Sequence, residues 1–137
     1  MSALTIERVR SFVVDDDPSE NPTGDYEWSD DTIIKSFHSV AKEYNGLEPV
    51  VDMVSADCLP DSDEFLNGVA AELMRRSLIL LKRRDISYQA GDVTASVTAS
   101  KIKHYGDMFK EYHDEFIRLS REKKMRVNLN NAFGHFY

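Results

Sequence analysis

Apolar side chains recur at helical spacing in three long stretches, and we expect each stretch to form one helix of a bundle. In the last stretch the apolar positions follow one another at intervals of 3, 4, 3, 4 and 3 residues: Ile102, Tyr105, Phe109, Tyr112, Phe116 and Leu119. This spacing places them on one face of a helix over about residues 99–124. The central stretch, residues 65–81, is apolar nearly all round, which predicts the most buried helix.

The first long helix has clear start and stop signals. Ser29 is placed to cap its N-terminus, Asp30 and Asp31 suit the positive end of its dipole, and Gly46 predicts its end. A shorter helix is predicted to begin after Thr5 and to stop before the acidic turn that follows it. The expected buried face of the first long helix is Ile33, Ile34, Phe37, Val40, Ala41 and Tyr44.

Two segments instead alternate apolar and polar residues, which is the period of an extended strand. The first is Val93, Ala95 and Val97 after a predicted turn at Gly91, and it indicates a small hairpin or extended arm. The second begins at residue 125 and ends in aromatic rings; its apolar members are Met125, Val127, Leu129, Phe133, Phe136 and Tyr137. We expect these rings to be buried, either in the protein's own core or in a groove of another protein.

The predicted fold is therefore mainly α: a helical bundle of three long helices, a short N-terminal helix, a small hairpin or extended arm, and an extended C-terminal tail. We predict a bundle domain over residues 1–124 and a docking tail over residues 125–137. At 137 residues, such a chain can bury enough surface for one core without staples.

Composition narrows the class of protein. With 42% apolar and 30% charged residues, the chain is of ordinary globular composition. Its longest apolar run, residues 78–81, is far too short to span a bilayer, and the start of the sequence has no secretory signal pattern. A single cysteine, Cys58, excludes an internal disulfide and fits a reducing compartment. We therefore expect a soluble protein made inside a cell, with no membrane partner.

Charge is distributed unevenly along the chain. Residues 1–64 carry 16 acidic and 4 basic side chains, whereas residues 101–137 carry 5 acidic and 8 basic ones. One interpretation is a solubility charge that happens to be uneven. The other is that the acidic end of one copy faces the basic part of another, which would steer assembly. The candidates for inter-subunit or channel-facing contacts are Asp15, Asp16, Asp17, Arg75, Arg76, Arg83 and Arg84.

No residue pattern indicates catalysis, a cofactor or a metal. The run Asp15-Asp16-Asp17 lacks the glycine and terminal glutamate of a calcium loop, and solvated loop charges are the simpler interpretation. The four histidines do not occur in pairs at helical metal-site spacing, and no glycine motif for phosphate binding is present. The net charge of −7 argues against a sequence-specific DNA reader.

Four features follow one another along residues 26–137. The motif Tyr26-Glu-Trp-Ser-Asp-Asp31 opens the first long helix, and an apolar central helix follows it. Next come Arg83-Arg-Asp-Ile-Ser-Tyr88 and the alternation Val93-Thr-Ala-Ser-Val97, and the last feature is the aromatic final helix with its tail. In the order and spacing of these features, the chain resembles the adaptor, or head–tail connector, proteins of tailed bacteriophages.

The resemblance implies a structural subunit without catalytic residues. It would assemble with itself into a closed ring, typically a dodecamer that matches the portal protein. The ring would sit in the virion neck, extend the channel through which double-stranded DNA passes without sequence specificity, and offer a surface to the next neck or tail protein. Assembly would occur in the host cytoplasm. The C-terminal segment would dock on the portal, with Val127, Leu129, Phe133, Phe136 and Tyr137 as the docking residues.

Two other classes stay open at this stage. One is a small helical interaction or regulatory module whose aromatic tail folds back on its own bundle; a monomer at all concentrations would favour it. The other is a small helical enzyme, which a pocket with several carboxylates or histidines of shifted pKa would favour.

Overall fold

Four α-helices account for most of the chain. The computed structural model describes the backbone of residues 2–87 and 92–133, and the side chains of residues 2–84 and 99–132. The helices are α1 (Ile6–Phe12), α2 (Asp30–Gly46), α3 (Asp63–Ser87) and α4 (Asp92–Phe133), with single 3-10 turns at Pro18–Glu20 and Ala56–Cys58. The described residues contain no β-strand, only an isolated bridge between Ala3 and Pro60. The prediction of a mainly α protein with three long helices and a short N-terminal one is confirmed.

The starts of α1 and α2 are each set by a capping side chain next to the helix in the sequence. The Thr5 hydroxyl accepts a hydrogen bond from the Arg8 amide at 3.2 Å, and the Ser29 hydroxyl accepts one from the Thr32 amide at 3.2 Å. Each bond satisfies an amide that the helix itself leaves without a partner. Helix α2 ends at Gly46, as its sequence predicts.

Helix α3 runs antiparallel to both of its long neighbours. At one end of the bundle, the Tyr44 ring of α2 lies 4.9 Å from the Phe65 ring of α3, while Trp28, just before α2, reaches Ser77 near the other end. Phe116 of α4 lies against Gly68 of α3. Helices α2 and α4 are therefore roughly parallel to each other, and α3 is the central helix.

The core lies where these three helices meet. Leu73 is fully buried, and Phe37 and Phe116 are buried with it; Phe109 packs on the edge of the same cluster. Gly68 is a place of close approach, because a Cβ there would lie 2.8 Å from the Phe116 ring. The aromatic stripe of α4 therefore faces the core, as its spacing predicts.

Two apolar residues expected inside are exposed. Ile34 on α2 is 44% exposed and Leu80 on α3 is 52% exposed. Trp28, just before α2, contacts α3 at Ser77. The residues of α3 after Ser77 therefore extend past the start of α2 and do not pack against it. Helix α3 is buried as predicted from Phe65 to Met74, but the expectation that it stays apolar and buried at Leu80 was wrong.

Both extended segments of the prediction are wrong where the structure describes them. Residues 92–98, including Val93, belong to α4, and Gly91 lies outside the described residues. Helix α4 also runs through residue 125 without a break and ends at Phe133, so the tail as far as that residue is helical. Alternation over five residues also contains an i, i+4 pair, Met125 and Leu129, which is helical spacing. Phe136 and Tyr137 lie outside the described residues.

Candidate functional site

A buried arginine holds the N-terminal segment onto the start of α2. Arg10 is 5% exposed and donates hydrogen bonds to the carboxylate of Asp15 at 2.9 Å, the carbonyl of Trp28 at 2.9 Å and the carboxylate of Asp30 at 2.6 Å. Its guanidinium also lies 3.8 Å from the centre of the Tyr26 ring. We call these residues the Arg10 network.

The Asp15 carboxylate is buried in this network, and both of its oxygens accept hydrogen bonds. It is 4% exposed, and besides Arg10 it accepts hydrogen bonds from the amides of Glu27 and Trp28 at 2.9 and 3.2 Å. A buried carboxylate needs such partners to offset its loss of water. The prediction that Asp15 is an inter-subunit or channel-facing charge is therefore wrong, because its carboxylate is consumed within the subunit.

The residues around Asp15 form an exposed corner. Val14 is 74% exposed and has φ +59°, a conformation that β-branched residues rarely adopt. Asp16 and Asp17 are exposed beyond it. Hydrogen bonds from the Ser19 hydroxyl and amide lower the pKa of Asp17, so that carboxylate stays charged. We call residues 14–17 the acidic corner.

Three of the four predicted arginines come together on α3. Together with neighbouring side chains they line a cavity of about 270 Å³, formed by Thr32, Arg75, Arg76, Ile79, Leu80 and Arg83. Arg84 is exposed and is not part of this lining. We call this feature the arginine cavity.

One carboxylate orders two of the cavity's guanidinium groups. Glu72 is 8% exposed and lies 2.6 Å from Arg75 and 3.2 Å from Arg76. Its hydrogen bonds raise the pKa of Arg75 further. The lining therefore carries three guanidinium groups, and two of them, those of Arg75 and Arg76, share the single carboxylate of Glu72.

Two consecutive lysines fasten α4 to the rest of the bundle. Lys124 is fully buried; its ammonium group donates to the carbonyl of Leu47 at 2.7 Å and lies 4.5 Å from the centre of the Tyr44 ring. Burial lowers the pKa of Lys124. Lys123 lies 3.3 Å from Asp52 and 3.2 Å from Glu64. Within the described residues, these contacts are the last polar anchors of α4 on α3 and on the segment that follows α2.

Beyond them, α4 continues as a helical arm, which we define as residues 125–133. Nine residues at about 1.5 Å each make it about 13 Å long. Met125 is 59% exposed and Leu129 is 52% exposed. They line an open depression of about 540 Å³ with Glu122 and Arg126. The arm therefore presents a pair of apolar side chains on one face, at i and i+4.

The predicted docking residues do not all share that face. Val127 is half-buried and lines a smaller depression of about 300 Å³ that includes Ser62 at the start of α3. Leu129 and Val127 thus point in different directions. The Phe133 side chain and the whole of Phe136 and Tyr137 lie outside the described residues.

The described residues contain no group of three or more His, Cys, Asp or Glu side chains that could hold a metal ion. None of the helices in the described part of the chain is long and apolar enough to cross a membrane. The three depressions described above are open to solvent rather than enclosed.

The chain matches no protein-family model, no curated protein and no solved structure.

Proposed function

We propose that the chain is a subunit of a phage head–tail connector ring, and that its helical arm docks on the portal protein. The observation that carries the proposal is the arm itself, which leaves the bundle after Lys124 with Met125 and Leu129 exposed. Apolar side chains held out on a helix one turn apart are typical of a helix that lies in a partner's groove.

The mode of docking differs from the one that the sequence suggests. An extended tail would add a strand to a receiving sheet, whereas a helical arm gains no main-chain hydrogen bonds from its partner. Its affinity must come from side chains that fill pockets at the centre of the interface. Among the described side chains, Met125 and Leu129 are therefore the expected anchors, whereas Val127 supports the arm from its inner side instead of docking beside Leu129.

The bundle's anchoring of α4 supports a role in which the arm acts as a fixed projection. Buried Lys124 and paired Lys123 hold the helix immediately before the arm. A helix fixed at its base loses less conformational freedom on binding than a loose segment does. The same anchors argue against an arm that folds back on its own bundle, the alternative interpretation of the tail.

The test is binding to the portal protein encoded by the same genome. We expect Met125→Lys with Leu129→Lys to abolish co-purification with portal while the melting temperature stays within a few degrees, because both side chains are exposed. Asn128→Lys with Asn131→Lys is the matched control, since it adds the same two charges at exposed positions about 80° and 140° around the helix from the midpoint of Met125 and Leu129. Portal binding that survives the double substitution would refute the docking role.

Electron microscopy of the wild-type chain with portal supplies a second readout. A ring of subunits seated on the portal is the expected particle. A chain that binds no portal and stays monomeric would favour the self-contained interaction module instead.

A further inference from the structure

We propose that copies of this chain associate head to tail through one contact, in which the acidic corner of one copy enters the arginine cavity of the next. This inference deepens the proposed function, because it rests on the subunit forming a ring. It names the two surfaces that join neighbouring copies.

Charge complementarity selects the occupant of the cavity. Its lining presents Arg75, Arg76 and Arg83, with one shared carboxylate among their partners. The acidic corner presents Asp16 and Asp17 at its exposed edge. Opposite potentials on two surfaces of the same chain favour a heterologous contact, and such contacts close into rings when the rotation permits.

Apolar complementarity agrees with the charges. The cavity has Ile79 and Leu80 in its lining, and Leu80 is 52% exposed. Val14 is the most exposed large apolar side chain of the described residues, at 74%. The exposed Val14 side chain beside Asp16 and Asp17 is therefore complementary to a lining that combines apolar side chains with guanidinium groups. Such a central apolar anchor with charges around it is the usual arrangement of an interface hot spot.

The backbone at Val14 points to the same role. Val14 follows α1 at a position where glycine or asparagine normally adopts positive φ. A valine there costs the subunit stability, and its side chain gains nothing from the subunit because it is exposed. A contact with a second copy would offset that cost.

The first test separates stability from association. At a dilution where both proteins are monomeric, we expect Val14→Asn to keep or raise the melting temperature, because asparagine tolerates positive φ. At higher concentration the same variant should raise the dissociation constant of self-association about tenfold. Val50→Asn is the matched control, since Val50 is 63% exposed and its φ is not positive. Equal association of the Val14 variant and wild type by sedimentation velocity would overturn the proposal.

The second test uses charge reversal in mixtures. Asp16→Lys copies and Arg83→Glu copies should each associate about tenfold more weakly than wild type, whereas an equimolar mixture should recover most of the affinity. When the two variants alternate in the mixture, the two reversed charges face each other at one contact. The unchanged Asp16 and the unchanged Arg83 face each other at the next, so every contact is complementary. Circular dichroism of each variant establishes that it is folded.

The outcomes are distinct from those of portal docking. A wild-type chain that stays monomeric, or a mixture no tighter than its components, overturns the corner–cavity contact. Either result leaves arm binding to portal as a separate measurement. Conversely, loss of portal binding in the arm variants leaves self-association through the corner intact.

Discussion

Adding a methyl group at Gly68 should weaken the bundle, although the same change elsewhere in a helix strengthens it. An ideal Cβ at Gly68 would lie 2.8 and 3.0 Å from two atoms of the Phe116 ring and 3.0 Å from Val40 Cγ1. Phe116 is 1% exposed and Val40 is 2% exposed, so neither can swing into solvent to make room. The clash must instead push α3 away from its neighbours.

The magnitude follows from two opposing effects. Replacing glycine by alanine in a helix gains about 0.8–1.0 kcal/mol of intrinsic propensity. Overpacking a core by one methyl group costs about 1–3 kcal/mol. We therefore expect Gly68→Ala to lower the free energy of unfolding by about 0–2 kcal/mol, most simply by about 1.

Gly106 is the matched control. It lies inside α4, and a Cβ there would meet nothing within 4 Å, so Gly106→Ala should keep the whole propensity gain. Urea denaturation followed by circular dichroism measures both variants, and the two should differ by about 1–3 kcal/mol in free energy of unfolding. If Gly68→Ala stabilises the protein as much as Gly106→Ala does, α3 and α4 do not approach as closely as described.

Three further predictions concern the core, the Arg10 network and alkaline pH. Leu73→Ala should cost about 2–5 kcal/mol, because Leu73 is fully buried, whereas Leu80→Ala, at an exposed position of the same helix, should change stability by at most about 0.5 kcal/mol. Arg10→Met should cost about 3–5 kcal/mol by thermal or urea unfolding, because it leaves the Asp15 carboxylate buried without its cation; a loss below about 1 kcal/mol would show that the network is dispensable. Stability should fall as pH rises above about 10, where unfolded tyrosines lose a proton that folded ones retain, and Tyr44→Phe should lessen this fall relative to wild type. The pKa values of three tyrosines are raised, chiefly by burial: Tyr44, Tyr105 and Tyr112.

Local sequence signals were sufficient to predict helix starts set by a capping residue and helix faces set by apolar spacing. Ser29 caps α2 as its position before two acids predicts, and the aromatic stripe ending near Phe116 faces the core because a 3–4 spacing leaves no other regular arrangement. Each of these features depends on residues within a few turns of one another. Their prediction therefore needed no knowledge of the tertiary fold.

Features that depend on distant partners could not be found this way. Arg10 and Lys124 have the sequence surroundings of ordinary surface cations, yet both are buried because acceptors 18 and 77 residues away approach them. The helical conformation of the arm was not predicted, for a different reason. Five alternating residues at 125–129 fit a strand and a helix equally well, and continuation of a long, already formed helix decides between them.

The position of Trp28 gives the protein a built-in optical reporter. It is the single tryptophan of the chain, it is 5% exposed, and its indole N–H donates to the Ser77 hydroxyl at 2.9 Å. Its backbone belongs to the Arg10 network, so the indole joins the N-terminal segment to α3. Release of that segment would bring water to the indole and shift its emission to longer wavelength. Unfolding at the opposite ends of the helices would leave the emission unchanged. Tryptophan fluorescence therefore monitors the contact between the N-terminal segment and α3 without any added label.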